Sequence, residues 1–229
     1  MTIAIMQPYL FPYIGYWQLI NAVDTFVIYD DVNFIKKGYI NRNSILIAGK
    51  QQQITLELIG ASQNKLINEV EVGNNSKKLL KTIEMTYKKA PFFNEVFSLI
   101  KKVLNQKEKN LAKFIGYSLY LISTYLNIST KFIYSSDIEK NNTLKSQDKI
   151  LDICKKLKAT SYINSIGGQE LYNKKIFKEN GIKLSFLESR LIDYKQFQND
   201  FIPYLSIVDI LMFNSKDEIK NMLNRYELV

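Results

Sequence analysis

The sequence predicts an α/β fold in which a mainly parallel sheet is flanked by helices, with a helical block around residues 76–128. Two observations support this prediction. The chain opens with a strand, a loop, a helix and a second strand, and strand- and helix-type segments alternate again in its second half. A chain of 229 residues with 46% hydrophobic and 23% charged residues is globular and can bury a sizeable core. We therefore expect one domain over residues 1–229, with the helical block as an insertion or subdomain.

The first unit reads as a βαβ opening. Residues 3–6 form an apolar run of strand length, and helical spacing of apolar residues predicts a helix that starts within residues 13–17 and ends before residue 24. A second strand over residues 25–29 ends at Asp30 and Asp31. The loop at the carboxyl end of the first strand in such a unit is the usual place for a ligand.

The other elements follow from the same rules. The predicted strands are a hairpin over 44–47 and 53–59, a short strand over 66–72, and strands over 131–134, 161–164 and 182–186. The predicted helices cover 76–90 (capped by Asn75 or Ser76), 92–104, 111–126, 143–156 and 217–226. The three helices before residue 128 could cover the site or form an oligomer contact.

The composition excludes several kinds of chemistry. The sequence has no histidine, so a Ser-His-Asp triad, a Cys-His pair and a histidine zinc site are excluded. Proton transfer falls to Asp, Glu, Lys, Tyr or the substrate. The single cysteine, Cys154, excludes an intramolecular disulfide and suits a reducing compartment, and we expect it to pack in the core.

Charge and apolar stretches bear on partners and location. The net charge of +9 comes mainly from lysine, whereas nucleic-acid readers more often use arginine, so we do not expect a nucleic-acid partner. The charge suits an anionic substrate such as a nucleotide sugar, and a lysine-rich solvated surface is the alternative. The amino terminus lacks a basic leader, and residues 111–128 read as a buried helix rather than a membrane span, so we expect a cytoplasmic protein.

The loop after the first strand is unusually aromatic for a connector. Pro8 and Pro12 stiffen it, and around them lie Gln7, Tyr9, Phe11, Tyr13, Gly15, Tyr16 and Trp17. Such a loop suits a pocket wall, because rings stack on sugars or bases while phenols keep a polar tip. The alternative is a lid whose rings fill the core, and composition alone favours neither.

The acidic pair and the following arginine form a second candidate constellation. Asp30 and Asp31 could bind magnesium or accept a proton from an attacking amine, and only one of them should face a pocket because neighbours on a strand point to opposite faces. Arg42, between Asn41 and Asn43, could hold a phosphate or carboxylate. The alternative is a structural Arg–Asp pair with an Asx turn.

Two later segments carry weaker signals. Residues 162–172 read as strand, small-residue loop and helix, so the backbone around Ser165, Gly167 and Gly168 could hold an anion; a tight turn capped by Ser165 is the alternative. Asp209 lies in an apolar run and therefore needs a partner. Asn214-Ser215 predicts a helix cap.

The sequence resembles the WbqC-like protein family over essentially the whole chain. The matching residues are Met6-Gln7-Pro8, Pro12, Gly15-Tyr16, Asp24, Asp30-Asp31, Asn41-Arg42-Asn43, Tyr87 to Pro91, Tyr162 to Tyr172, Phe177, Gly181-Ile182 and Ser206 to Asn214. The family often has Gly-Pro or Ser-Pro near Ser165-Ile166, where this chain has Ile166-Gly167-Gly168. The resemblance implies a role in O-antigen, lipopolysaccharide or related bacterial surface polysaccharide synthesis, and one member has been proposed to transfer glycine onto an amino sugar.

The resemblance thus implies an amide-forming acyl or aminoacyl transferase, or an ATP-dependent ligase, that acts on a nucleotide-linked amino sugar. Asp30, Asp31 and Arg42 would be catalytic, with no assigned metal ligand, and the substrate-binding residues would be Gln7, Tyr9, Tyr13, Gly15, Tyr16, Asn41, Asn43, Ser165, Gly167 and Gly168. The alternative is a non-catalytic sugar-nucleotide-binding or assembly module of the same pathway.

The acyl donor stays open between an acid activated by ATP with magnesium, an acyl thioester and an aminoacyl-tRNA. A looser similarity links the opening to nucleotidyltransferase-type folds, which carry histidines where this chain has Tyr13 and Tyr16. A phenol donates a hydrogen bond to phosphate but carries no imidazolium charge. A homo-oligomer is compatible with all of these readings.

Overall fold

A computed structural model describes residues 1–198 and 200–229. The strands are β1 (Thr2–Met6), β2 (Thr25–Ile28), β3 (Arg42–Ile47), β4 (Lys50–Thr55), β5 (Leu58–Ile59), β6 (Glu71–Val72), β7 (Lys131–Tyr134), β8 (Ser161–Ser165), β9 (Lys183–Ser189) and β10 (Tyr226–Leu228). The helices are α1 (Ile14–Asn21), α2 (Ser76–Tyr87), α3 (Phe93–Leu104), α4 (Leu111–Tyr125), α5 (Ser146–Lys156), α6 (Lys174–Glu179), α7 (Ile207–Phe213) and α8 (Lys216–Leu223). Short 3₁₀ helices cover Ile67–Glu69, Ser135–Asp137 and Ile166–Leu171.

The main sheet is mixed but largely parallel, as predicted. Its strand order is β10-β9-β8-β1-β2-β7, and neighbouring strands are parallel except for β10, which runs antiparallel to β9. Along the chain, β2 and β7 are added on one side of β1, and β8 and β9 are added later on its other side. The loop after β1 therefore lies at the reversal of strand order, where open α/β sheets usually bind ligands.

Helices cover both faces of this sheet. Along β1, Ala4 packs into one core with α1 to α4, α7 and α8, whereas Ile3 and Ile5 pack into a second core with α5 and α6. Successive residues of a strand point to opposite faces, so a strand that is covered on both sides is apolar throughout. This explains the continuous apolar run at the amino terminus.

The helical block predicted around residues 76–128 is present as α2, α3 and α4. It shares the larger core with the sheet. The two come close together at Gly116 of α4, where a Cβ atom would lie 2.2 Å from the Tyr134 hydroxyl and 3.2 Å from the Ile28 side chain. The block therefore packs directly against the β2–β7 side of the sheet.

Some predicted boundaries were wrong. Residues 66–72, predicted as a strand, form a 3₁₀ helix followed by the two-residue β6, because the Glu69 carboxylate accepts the Leu66 N–H at 2.9 Å and closes a turn. The last helix ends at Leu223, and the chain then adds β10, which the sequence did not predict. Residues 143–145 precede α5 instead of starting it.

Two of the predicted caps differ from the structure and one is confirmed. Asn75 precedes α2 without a side-chain cap; its amide bridges the Glu57 N–H and the Thr55 carbonyl, at 2.9 and 2.8 Å. Ser165 precedes a 3₁₀ helix, again without a side-chain cap. Ser215 caps α8 in a capping box with Glu218, as predicted.

Asp209 has the partners that its burial requires. Its carboxylate accepts hydrogen bonds from Tyr87 (2.6 Å), Tyr194 (2.7 Å) and Gln196 (3.1 Å), and the Tyr87 hydroxyl in turn accepts the Leu46 N–H at 3.2 Å. This network joins α7 to α2, to β3 and to the segment before α7. Burial raises the pKa of Asp209, although the hydrogen bonds from Tyr87, Tyr194 and Gln196 act in the opposite direction.

Within residues 1–198 and 200–229, no helix has both the length and the apolarity needed to cross a membrane.

The Asp209 network gives a stability prediction. Tyr87→Phe removes one donor to a buried carboxylate and leaves the Leu46 N–H without its acceptor, so we expect the free energy of unfolding to fall by roughly 1–3 kcal/mol. Chemical denaturation measures it. Tyr120→Phe is the control, because Tyr120 is 57% exposed. Equal stability of the two variants would contradict the structural role of the network.

Candidate functional site

The segment after β1 is held in place through its carbonyl oxygens. The Gln7 carbonyl accepts the Tyr16 hydroxyl at 2.8 Å, and the Pro12 carbonyl accepts the Trp17 indole N–H at 3.0 Å. The Pro12 carbonyl also accepts the Ile207 backbone N–H at 3.0 Å. These donors come from α1 and α7, so the segment is fixed between two helices.

Side chains from more distant parts of the chain complete this anchoring. Asn43 in β3 donates through its amide nitrogen to the carbonyls of Leu10 (3.2 Å) and Phe11 (2.9 Å), and Ser206 donates to the Phe11 carbonyl at 2.8 Å. The Leu10 N–H donates to the Ile40 carbonyl at 3.0 Å. Residues 7–13 therefore contact β3, the segment before it and the start of α7.

The aromatic rings divide between core and surface cavity. Phe11 and Trp17 are fully buried and Tyr16 is 2% exposed, so these three belong to the core. Tyr9 and Tyr13 are half-buried and face a cavity. Both sequence-level interpretations, a pocket wall and a core-filling lid, therefore apply to different rings of the same loop.

The cavity has a volume of about 230 Å³ and lies beside the loop at the carboxyl end of β1. The ring centroids of Tyr9 and Tyr39 are 6.0 Å apart, and those of Tyr13 and Tyr204 are 6.5 Å apart. The residues that line it are Tyr9, Pro12, Tyr13, Tyr39, Asn43 and Tyr204. None of these six lining residues carries a charge.

The phenols of Tyr9 and Tyr13 stay protonated near neutral pH. Burial raises the pKa of Tyr9, and the neighbouring Tyr13 and Tyr39 raise it further. Burial likewise raises the pKa of Tyr13, with added contributions from Tyr204 and Tyr39. The cavity thus presents neutral rings and hydroxyl groups that can donate and accept hydrogen bonds.

Gly15 makes room for one of these rings. A Cβ atom at Gly15 would lie 2.5 Å from the Tyr13 ring, closer than real Cβ atoms approach other atoms. The predicted substrate-binding role of Gly15 stays a prediction. Its observed role is to let Tyr13 lie against the first turn of α1.

The two aspartates have different surroundings. Asp30 is 2% exposed; it accepts the Ser136 N–H at 2.9 Å, the Ser136 hydroxyl at 2.6 Å and the Asn68 amide at 3.2 Å. These bonds tie the end of β2 to the residues after β7. Its oxygens are engaged in holding the fold.

Asp31 forms a largely buried ion cluster with two lysines. Its Oδ2 atom lies 2.8 Å from Lys140 Nζ and 3.2 Å from Lys149 Nζ, and the lysine side chains are only 1% and 9% exposed. Burial would raise the pKa of Asp31, but the adjacent ammonium groups of Lys140 and Lys149 outweigh it and lower the pKa. The carboxylate therefore adds stability that is lost as the pH falls through its lowered pKa.

Arg42 contacts neither aspartate in the described structure, so the alternative of a structural Arg–Asp pair was wrong. Its guanidinium donates to the carbonyls of Lys37 and Gly38, and contacts the Gln53 side chain at 3.3 Å. These bonds fix the segment that carries Tyr39. Asn41, the neighbouring residue, donates to the Leu56 carbonyl at 2.8 Å.

The second predicted loop lies after β8. Residues Ile166–Leu171 form a 3₁₀ helix. The Ser165 N–H donates to the Asn164 side chain at 2.8 Å, and a Cβ atom at Gly168 would lie 2.4 Å from that same amide. A Cβ atom at Gly167 would contact nothing within 4 Å. Their proposed binding of an anion stays a prediction.

The structure brings together part of the predicted site. Tyr9, Tyr13 and Asn43 line the cavity, whereas Asp30, Asp31 and Arg42 are engaged elsewhere. The sequence analysis missed Tyr39 and Tyr204 as cavity residues. A signal existed for Tyr204, because it follows Pro203 in a second segment that mixes aromatic residues with a proline.

No cluster of three or more His, Cys, Asp or Glu side chains suited to a metal occurs in the part of the chain that the structure describes. The acidic pair also does not fit a magnesium site, since Asp30 accepts three hydrogen bonds and Asp31 is paired with two lysines. Cys154 is buried, as predicted, and burial raises the pKa of its thiol to about 12.

Fold and site together define an α/β protein with an uncharged, tyrosine-lined cavity beside the loop at the carboxyl end of its central β1. The sequence profile of the WbqC-like protein family matches residues 7–221, and the chain belongs to this family. Over 226 residues it is 29% identical to the uncharacterized protein Rv1507c of Mycobacterium tuberculosis (strain ATCC 25618 / H37Rv), and the match covers 96% of each chain. No solved structure matches the chain.

Gly15 allows a direct test of the cavity geometry. Gly15→Ala should push the Tyr13 ring away from α1, because the ring is the movable partner, while the better helix propensity of alanine limits the loss of stability. We expect nitration of Tyr13 by tetranitromethane, followed by mass spectrometry, to become several-fold faster.

Gly167→Ala is the matched control for this experiment, because the added methyl group meets no atom within 4 Å. Unchanged Tyr13 reactivity in folded Gly15→Ala would show that the ring does not lie against Gly15.

Proposed function

We propose that this protein is an enzyme that forms an amide between a small acyl or aminoacyl group, such as glycine, and the amine of a nucleotide-linked amino sugar in surface polysaccharide synthesis. The observation that carries the proposal is the tyrosine-lined cavity beside the loop at the carboxyl end of β1. Family membership supports a role related to transferases, and the position beside the reversal of strand order supports ligand binding.

The cavity supplies contacts to one part of the substrate. Tyr9 and Tyr13 would pack against a ring of the substrate, and Tyr39 and Tyr204 would close the other side. Phosphate groups would lie outside, where Lys36 and Lys37 are exposed on the segment that carries Tyr39. Arg42 would act as a positioning residue, since its guanidinium holds that segment.

Asp31 is our proposal for the group that assists the amine. Its residue is partly exposed, whereas Asp30 is buried and hydrogen-bonded to Ser136 and Asn68. A lowered pKa makes Asp31 a weak base, so its contribution would be to accept a hydrogen bond from the amine and to orient it. The proposed similarity to nucleotidyltransferase-type folds suits activation of the acyl group before the amine attacks.

A specific observation favours a second candidate, a non-catalytic binding or assembly module of the same pathway. The described lining of the cavity consists of four tyrosines, a proline and an asparagine whose amide is used inside the protein. Such a lining recognises a ligand without offering a base or a nucleophile. The module would bind the amino-sugar nucleotide but form no product.

Thermal-shift measurements followed by mass spectrometry separate the two candidates. A nucleotide-linked amino sugar should raise the melting temperature, and incubation with glycine and ATP, with glycyl-tRNA or with an acyl thioester should give a product whose mass corresponds to an amide. Asp31→Asn should lower turnover at least tenfold, since assistance by a positioned acid or base is worth about 10²–10⁴-fold.

Asp31→Asn must keep its far-UV circular dichroism for this test, and Tyr120→Ala serves as the surface control. Wild-type turnover in folded Asp31→Asn would remove Asp31 from the mechanism. Stabilisation by the sugar nucleotide without product from any donor would favour the module, and no stabilisation by any amino-sugar nucleotide would contradict both candidates.

A further inference from the structure

The walls of the cavity limit what can enter it. Four tyrosine rings and Pro12 supply most of the lining. Asn43, the remaining lining residue, uses its amide nitrogen for the Leu10 and Phe11 carbonyls, and its amide oxygen accepts the Ser44 N–H at 2.8 Å. A ligand therefore meets ring faces, ring edges and phenol hydroxyls.

The electrostatics of these walls select among ligand groups. An anion would lose its water and find no cation among the described lining residues, which is costly. A positively charged nitrogen would instead meet the negative faces of several rings, and an interaction of this kind is worth about 0.5–2 kcal/mol per favourable contact. The phenol oxygens add hydrogen-bond acceptors for any N–H groups of the ligand.

The size of the cavity narrows the choice further. Its volume of about 230 Å³ is below the roughly 300 Å³ at which pockets for drug-sized ligands begin. It therefore holds one group of a substrate and not a whole nucleotide sugar. The rest of the ligand must lie outside, on the side where the exposed Lys36 and Lys37 follow one another before Tyr39.

We propose that the cavity is an aromatic cage for the positively charged nitrogen of a small organic ammonium group that is carried on an anionic body. The lysine-rich surface accounts for the anionic body, because a chain with a net charge of +9 repels a simple cation but attracts a zwitterionic or phosphorylated amine. The inference rests on the proposed function for the identity of the substrate, since an amide-forming enzyme binds an amine. The cage would hold this amine as an ammonium group when the substrate binds, and the amine would leave the cage and lose its proton before it meets Asp31 and reacts.

The test compares sugar phosphates that differ at one position. Glucosamine 6-phosphate carries an ammonium group, glucose 6-phosphate has a hydroxyl there, and N-acetylglucosamine 6-phosphate has a neutral amide. Isothermal titration calorimetry near pH 6.5 should show that glucosamine 6-phosphate binds about tenfold more tightly than the other two. Tetramethylammonium chloride should compete with it, whereas sodium chloride at equal ionic strength should compete less.

Substitution of the exposed wall residues tests whether the preference for the ammonium compound arises from the cage. Tyr39 and Tyr204 are 59% and 67% exposed, so Tyr39→Ala and Tyr204→Ala should fold normally. Each should reduce the preference for glucosamine 6-phosphate over glucose 6-phosphate several-fold, and Tyr120→Ala should leave it unchanged.

Three results would overturn the cage: equal affinity for the amine and the hydroxyl compound, a preference that survives both tyrosine substitutions, or no binding of either glucosamine 6-phosphate or tetramethylammonium. The proposed function fails separately. If the ammonium compounds bind but no donor gives an amide, the cage is supported and the enzymatic function is wrong. If an amide forms but the ammonium compound is not preferred, the enzymatic function is supported and the cage is wrong.

Discussion

The structure depends on the hydrogen bonds that hold the carbonyl groups of residues 7–12. A segment with two prolines cannot pair its backbone in a strand or a helix, yet buried carbonyl groups need donors. Here the donors are mainly side chains: Tyr16 and Trp17 from α1, Asn43 from β3, and Ser206 just before α7. These residues are far apart in the chain, so the loop can reach its shape only when the sheet, the hairpin and the last helices are assembled around it.

The same bonds create the cavity. They turn Phe11 into the core and leave Tyr9 and Tyr13 facing outward. The Leu10 N–H reaches the Ile40 carbonyl and so brings the segment that carries Tyr39 beside the loop, while Ser206 anchors the chain two residues after Tyr204. The cavity walls come from three separate regions of the chain, and one set of hydrogen bonds therefore brings them together. No charged residue lines the cavity among the residues that the structure describes, and the two aspartates that follow β2 are bound by Ser136 and by Lys140 and Lys149.

The sequence predicted the parallel sheet, the helical block and the place of the aromatic loop, since apolar periodicity and proline positions report on local structure. It did not predict β10, because a three-residue edge strand with two exposed residues carries no such pattern. The sequence also did not predict contacts between residues that lie far apart in the chain. The pairing of Asp31 with Lys140 and Lys149, and of Arg42 with backbone carbonyls, depends on how loops pack at the end of the sheet. The family resemblance is confirmed over residues 7–221, whereas the reaction remains our proposal.

The most direct test is hydrogen–deuterium exchange of the wild type and of Asn43→Asp, which puts a carboxylate where an amide donates to two carbonyl groups. We predict that the amide of Leu10 exchanges at least tenfold faster, about 1.4 kcal/mol or more of lost protection, while the amides of β8 and β9 keep their wild-type rates. Ser206→Ala, a milder change on the same carbonyl group of Phe11, should act in the same direction if Asn43→Asp does not fold. An unchanged exchange rate of the Leu10 amide in a folded variant would contradict the claim that these hydrogen bonds hold residues 7–12 in place.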